Sequence, residues 1–114
     1  MSIKEQLAAR GSSGQITTPA GEEITYFGDD ADHVKVQRLT TAFVETDQTA
    51  RLLKLGQLRQ IIAETSQGDV SSSQTKIQSA DGKSGVLLNT VVGNSLPDTL
   101  LSAKVLENAT KKIL

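Results

Sequence analysis

The sequence predicts a single α+β domain of 114 residues, with two longer amphipathic helices over about 47–66 and 97–113. Apolar residues in both segments recur at intervals of three and four, which places them on one face of a helix. Two other regions have runs rich in β-branched residues on either side of a Gly-containing turn, and these predict two β-hairpins. A short N-terminal helix completes the predicted architecture.

The N-terminal helix is predicted from a capping signal. Residues 2–5, Ser-Ile-Lys-Glu, have the capping-box pattern, in which the Ser hydroxyl and the Glu carboxylate accept hydrogen bonds from backbone amides at the start of a helix. With Gly11 as a stop signal, the pattern predicts a helix over 3–10. Because its apolar face is small, this helix needs a surface to lie on. We interpret residues 1–14 as an N-terminal arm and 15–114 as one small domain.

The two hairpins are predicted from turn residues between β-rich runs. "QITT" and "EEITYF" flank a turn around Ala20-Gly21, while "TKIQ" and "GVLLNTVV" flank "SADGKS", in which Asp81-Gly82 is a strong turn signal. Residues 82–84, Gly-Lys-Ser, also match the end of a phosphate-binding loop. That loop requires a first glycine where this chain has Ile77, and the segment before it is polar. The sequence therefore favours a turn.

The helix over 47–66 has the clearest apolar spacing in the chain. Thr46 or Asp47 would cap it, and Gly68 would end it. Gly56 inside this helix would cost about 1 kcal/mol relative to Ala. It is either simply tolerated or marks a close approach of another backbone.

The segments around this helix have weaker signals. Residues 28–32, Gly-Asp-Asp-Ala-Asp, predict a solvated acidic loop. Residues 33–45 are ambiguous, and a strand that ends near Leu39 followed by a helical turn is favoured. Residues 67–74 predict a polar connector. For the last helix, Pro97 in the first turn and basic residues in the last turn support the assignment.

Composition excludes several classes of function. The net charge is −1 and the basic residues are scattered, so the chain lacks the basic stripe of a nucleic-acid-binding protein. There is no cysteine, which excludes disulfides and thiolate metal sites. The N-terminus is unlike a signal peptide, and no apolar run approaches the ~18 residues of a membrane span. We expect a cytoplasmic protein that is not secreted and binds neither membranes nor nucleic acid.

Catalytic patterns are also weak. The only histidine, His33, follows the aspartates of 28–32, but their spacing misses the calcium-binding loop and a solvated loop is favoured over a metal site. A serine nucleophile would need a base and an orienting acid, and no such motif is present. Glu22-Glu23 and Glu45 lie in polar contexts. We therefore expect no catalytic residues, no metal and no cofactor.

The first quarter of the chain resembles a known class of proteins. "MSIKEQLAAR", a Gly/Ser joint and "ITTPAGEEITYFG" resemble the start of small structural and assembly proteins of tailed bacteriophages, including tail-assembly chaperones. The resemblance extends to about residue 28. It implies a protein without an active site that contacts other copies of itself or a larger shell.

Together these observations predict an assembly protein that contacts neighbouring subunits through its amphipathic helices and its N-terminal arm. Only three aromatic residues are present, so aliphatic side chains on several short elements must form the core, and we expect some of them to need a partner. The alternative is a soluble binding or regulatory domain with a self-contained core. The predicted partner-binding residues are Ile3, Leu7, Leu52, Leu55, Leu58, Ile62, Leu101, Val105 and Ile113.

Overall fold

A computed structural model describes residues 2–77 and 86–113, with side chains for 2–72 and 87–112. It confirms the α+β class: in these residues, three helices accompany a five-stranded antiparallel sheet with strand order β2-β1-β5-β4-β3. The elements are α1 (Ile3–Ala8), β1 (Ser13–Thr17), β2 (Glu23–Phe27), α2 (Asp30–Leu52), β3 (Gln60–Glu64), β4 (Val70–Ile77), β5 (Val86–Gly93) and α3 (Leu96–Ile113). The two edges of this sheet are therefore β2 and β3.

Helices cover both faces of the sheet, as the alternation along β5 shows. Val91 belongs to a buried cluster with Leu106 of α3, so this side of β5 faces α3. Thr90, its neighbour, lies with its hydroxyl 2.7 Å from that of Thr40 in α2, so the other side faces α2. Successive side chains of a strand point to opposite faces. The fold is a three-layer sandwich, with α2 on one face and α1 with α3 on the other.

The core lies mainly between the sheet and α3. Its central cluster consists of Ile16, Leu87, Val91, Ala103 and Leu106, with Ile3 and Phe27 packed against it. Close approach of α1 is possible because β1 carries Gly14 at the contact. A Cβ atom there would lie 3.0 Å from Leu7 and 3.2 Å from Leu106.

The N-terminal helix and the first hairpin are confirmed. Ser2 and Glu5 form the complete capping box of α1, and the helix ends before Gly11, which has φ +64°. The helix is two residues shorter than predicted. Strands β1 and β2 pair antiparallel, and Gly21 at φ +90° occupies the turn between them. Local signals were sufficient here because both elements are defined by their own caps and turns.

The two strands of the second predicted hairpin are confirmed. β4 and β5 pair antiparallel from Val70 opposite Gly93 to Ile77 opposite Val86. The predicted turn at Asp81-Gly82, and with it the Gly-Lys-Ser sequence at 82–84, lies outside the described residues.

The prediction for residues 28–45 is wrong, because α2 begins within the acidic segment. Asp29 is the N-cap, and its carboxylate accepts a hydrogen bond from the backbone N–H of Asp32 at 3.1 Å. Acidic side chains in a first turn also interact favourably with the positive end of the helix dipole. Val34 and Val36 seemed to alternate as in a strand, but both lie in α2, where Val36 is buried and Val34 is 63% exposed on the opposite side of the helix.

The prediction of a helix over 47–66 is also wrong. The helix ends at Leu52, the backbone takes positive φ at Lys54 (+60°) and Gly56 (+93°), and residues 60–64 form the edge strand β3. Left-handed residues cannot continue an α-helix, and Gly adopts this conformation without steric cost. Gly56 therefore lies in a loop, and apart from its chain neighbours no described residue has an atom within 4 Å of a Cβ placed there.

The predicted polar connector at 67–74 is largely strand β4, which lies between β5 and β3 in the sheet. Ser71 is 7% exposed and Ser72 is 1% exposed. Serine is frequent in turns, but pairing on both sides and burial under a helix make these residues part of a strand. Only the start of the predicted segment is a turn, in which Gly68 has φ +95°.

The C-terminal helix is confirmed as α3, with a different buried face. The apolar stripe at intervals of four contains Leu101 and Val105, which were predicted to bind a partner; Leu101 is 53% exposed and Val105 is partly buried. The buried positions are instead Thr99, Ser102, Ala103, Leu106, Ala109 and Thr110. These mostly small side chains allow α3 to lie close to the sheet; a Cβ at Gly93 would be only 2.5 Å from the Thr99 hydroxyl.

Candidate interaction surface

Three leucines at the end of α2 are exposed together. Leu52, Leu53 and Leu55 are 82%, 65% and 76% exposed, and we refer to them as the leucine patch. Scattered exposed apolar residues are common on monomeric proteins, whereas contiguous large ones mark contact sites. On the described surface, no other run of four positions exposes three large apolar side chains.

Asp47 holds the segment that carries the leucine patch in place. Its carboxylate accepts a hydrogen bond from the backbone N–H of Leu58 at 2.8 Å and from Arg51 Nε at 3.0 Å. The chain after α2 is therefore tied back to the last turns of the helix. The positive φ of Lys54 and Gly56 completes this turn, so the leucines are presented by a hydrogen-bonded loop.

The edge strand β3 follows the loop directly. It pairs only with β4 among the described residues, so its outer backbone groups have no strand partner there. Ile62 pairs with Ser72, which pairs with Val91, so Ile62 lies on the α3 face, where it is 47% exposed. An open edge beside exposed apolar side chains is a ready template for pairing with another chain.

A small groove lies between α2 and β3 on the opposite face of the sheet. Its volume is about 140 Å³, and its apolar lining is Leu39, Ala63, Val70 and Val92. Lys35 and Asp69 line it as well, with Lys35 Nζ 3.4 Å from the Asp69 carboxylate. A cavity of about 150 Å³ accepts a group of the size of benzene. The groove therefore has room for one aliphatic side chain.

The other edge strand, β2, is engaged by α2 through a polar cluster. Gln15, fully buried, donates hydrogen bonds to Glu23 at 2.8 Å and to Gln37 at 2.7 Å. His33 contacts the same Glu23 carboxylate and stacks on Tyr26, with ring centroids 4.1 Å apart. These contacts join β1, β2 and α2, so Glu23 and Tyr26 of the β2 edge already have partners within the subunit.

The cluster shifts two pKa values. The hydrogen bond from Gln15 holds the pKa of Glu23 below its ordinary 4.5, with a further lowering from His33, while partial burial opposes both. Burial raises the pKa of Tyr26, and the negative charges of Asp32 and its neighbours add to the rise. Both shifts follow from contacts that hold the fold together.

A polar cleft of about 450 Å³ lies where α1, the start of α2 and the loop after β5 meet. Lys4, Asn94 and Asp32 are among its lining residues. The Ser13 hydroxyl donates a hydrogen bond to the Asp32 carboxylate at 2.9 Å, and the Asp29 carboxylate caps α2. Both carboxylates of the cleft therefore make structural hydrogen bonds. Within residues 2–77 and 86–113, no group of three or more His, Cys, Asp or Glu could hold a metal ion. No helix in the same residues is long and apolar enough to cross a membrane.

The predicted partner-binding residues fall into three groups. Leu52, Leu55 and Ile62 are exposed at the leucine patch and the β3 edge, with the partly buried Leu58 between them. Leu7 is fully buried and belongs to the core, so it is not open to a partner in this subunit. Ile3 and Val105, partly buried, line a hollow between α1 and α3, beside the exposed Leu101, and the side chain of Ile113 lies outside the described part.

The sequence reasoning missed two features of this surface. Leu53 was given no contact role although it is 65% exposed. The open edge of β3 was missed entirely, because residues 60–64 were assigned to a helix. The pair of glycines at 56 and 68 around the β-branched Ile61-Ile62 was the available signal, since glycines that bracket such a run indicate a strand between turns.

No protein-family model matches the chain, and the comparison with curated proteins finds no match.

Proposed function

We propose that this protein is a non-enzymatic assembly subunit that contacts neighbouring copies through the leucine patch and the outer edge of β3. The observation that carries the proposal is the exposure of Leu52, Leu53 and Leu55 in the segment that leads into β3, an edge strand that pairs on one side only among the described residues. A partner that adds a strand to β3 would form hydrogen bonds along its outer edge and also cover apolar side chains. The two features lie next to each other in the chain, so one neighbouring subunit can cover both.

The arrangement of the two sheet edges supports this assignment. At β2, Glu23 and Tyr26 are engaged by His33 and Asp29 of the same subunit. Ile62 of β3 and Ile24 of β2 are equally exposed, at 47%, but β3, unlike β2, follows the leucine patch in the chain. The contact surface is therefore expected on one side of the molecule, which favours small closed assemblies over open-ended growth.

The resemblance of the first quarter of the chain to structural and assembly proteins of tailed phages extends the proposal to a virion component. In that case the protein would be found in the host cytoplasm and in the particle. A subunit of this kind needs no cofactor and no nucleic-acid contact to perform its role.

The alternative function, a binding or regulatory domain with a self-contained core, is favoured by one observation. Leu7, Ile16 and Leu106 are fully buried within one chain, so the main core needs no partner. The two functions differ in the state of association of the purified protein.

Size-exclusion chromatography with light scattering separates them. The assembly proposal predicts a mass that is a multiple of the 12.1 kDa subunit. A protein that stays at the subunit mass at every concentration, with a cooperative thermal transition, would instead support the self-contained domain. The variant Leu53→Ser with Leu55→Ser should reduce the mass toward one subunit, while the matched variant Ile24→Ser, at the β2 edge, should not.

A further inference from the structure

We infer that two copies pair their β3 strands antiparallel about a two-fold axis at Ile62, and that Ile61 of each copy fills the groove between α2 and β3 of the other. This inference rests on the proposed function and specifies its partner and register. It follows from the pattern of β3 and from the position of the groove.

The register follows from which residues would then be opposite each other. A two-fold axis at position 62 places Ile62 opposite its own copy, Ile61 opposite Ala63, and Gln60 opposite Glu64. Apolar groups then meet apolar groups, and an amide meets a carboxylate. Shifting the axis by one residue in either direction places Ile62 opposite Gln60 or Glu64, which opposes an apolar and a polar side chain.

The groove explains why Ala63 suits the position opposite Ile61. Ile61 pairs with Ser73, which pairs with Thr90, and Thr90 contacts Thr40 of α2, so Ile61 and Ala63 both lie on the α2 face. Ala63 also lines the groove of about 140 Å³. In an antiparallel pair, opposite side chains on one face have Cβ atoms about 4.5–5.5 Å apart. The partner's Ile61 side chain would therefore lie over the groove, where the small Ala63 leaves room for it.

The first test changes the volume of this contact. Ala63→Leu fills the groove from within its own subunit, so we expect unchanged or higher thermal stability together with at least a tenfold weaker association. Ile61→Ala removes the inserted side chain, and we expect a similar weakening. Thr25→Leu adds comparable bulk on β2, the other edge strand, and should leave association unchanged. If both groove variants associate as the wild-type chain does, the inference is wrong.

The second test reads the register directly. Because the chain has no cysteine, Ile62→Cys introduces a single thiol, which in this register lies opposite its own copy within reach of a disulfide. We expect rapid formation of a cross-linked dimer under mild oxidation. Glu64→Cys lies opposite position 60 and should cross-link much more slowly. Equal rates for the two variants would contradict the register.

The outcomes distinguish this inference from the proposed function. A wild-type protein that is monomeric at all concentrations would overturn both. A wild-type oligomer whose association is unaffected by the groove variants, and which does not cross-link through position 62, would overturn the inference and leave the assembly function standing.

Discussion

Replacement of the leucine patch by serine should abolish most of the association between subunits while leaving the fold intact. The variant carries Leu52→Ser, Leu53→Ser and Leu55→Ser. These side chains are 82%, 65% and 76% exposed, so they contribute little to the folded subunit. Surface substitutions of this kind usually change the free energy of unfolding by no more than about 0.5 kcal/mol.

The expected loss of affinity follows from the exposed area. Full burial of one leucine contributes about 1.5–3 kcal/mol, so a neighbour that covers half of what these three expose contributes about 2–3 kcal/mol per subunit. A symmetric dimer contains two such contacts, about 4–6 kcal/mol in total. Since about 1.4 kcal/mol corresponds to a tenfold change in Kd, we expect association to weaken by at least about a thousandfold.

Sedimentation velocity over a wide concentration range measures this change. The wild-type chain should move from subunit to oligomer as its concentration rises, while the triple variant remains at the subunit mass. The control Ile24→Ser with Val34→Ser removes two other exposed apolar side chains, which are 47% and 63% exposed. If the triple variant and the control both have the same Kd as the wild type, the leucine patch is not a contact between subunits.

Three further predictions concern the fold. Gly56→Ala should lower the free energy of unfolding by about 1–2 kcal/mol in urea denaturation, because φ is +93° there; a stabilised variant would restore the helical assignment. Thr40→Val should lower the free energy of unfolding by about 1–3 kcal/mol in the same assay, because the buried side-chain amide oxygen of Gln15 loses its hydrogen bond. An unchanged urea midpoint would contradict this. The pKa of Glu23 is lowered by folding, so its contribution to stability is present above about pH 4.5 and lost as the pH falls through the folded value. Thermal melts should therefore show Glu23→Gln less stable than wild type near neutral pH and equal to it in acid, while a constant difference across pH, or an equal effect of Glu22→Gln, would contradict it.

The parts of the fold that could be predicted from sequence are those with local signals. The capping box of α1, the turn at Gly21 and Pro97 at the start of α3 each act within a few residues, and the structure has those elements where the signals place them. The Asp29 cap of α2 is equally local. It was missed because clustered aspartates also indicate a solvated loop, and because Val34 and Val36 imitate the alternation of a strand.

The rest depends on tertiary placement. The polar sequence around Ser71 and Ser72 predicts a connector, and only pairing with β3 and β5 makes these two residues part of a strand. Leu52 and Leu55 were predicted to bind a partner from a helix over 47–66; the structure exposes both, but the helix ends at Leu52. Apolar spacing alone cannot distinguish a helix that continues from a loop followed by a strand. Here the helix ends at Leu52, and Lys54 is the first residue after it with positive φ, followed by Gly56.

Hydrogen–deuterium exchange of the β3 amides measures whether a neighbouring copy covers this edge. The outward-facing amides of residues 60–64 should exchange slowly at high protein concentration and quickly on dilution, while the amides of β2, residues 23–27, exchange at rates independent of concentration. Equal exchange of the β3 amides at both concentrations would show that no neighbouring copy covers the edge, and the proposed contact between subunits would be wrong.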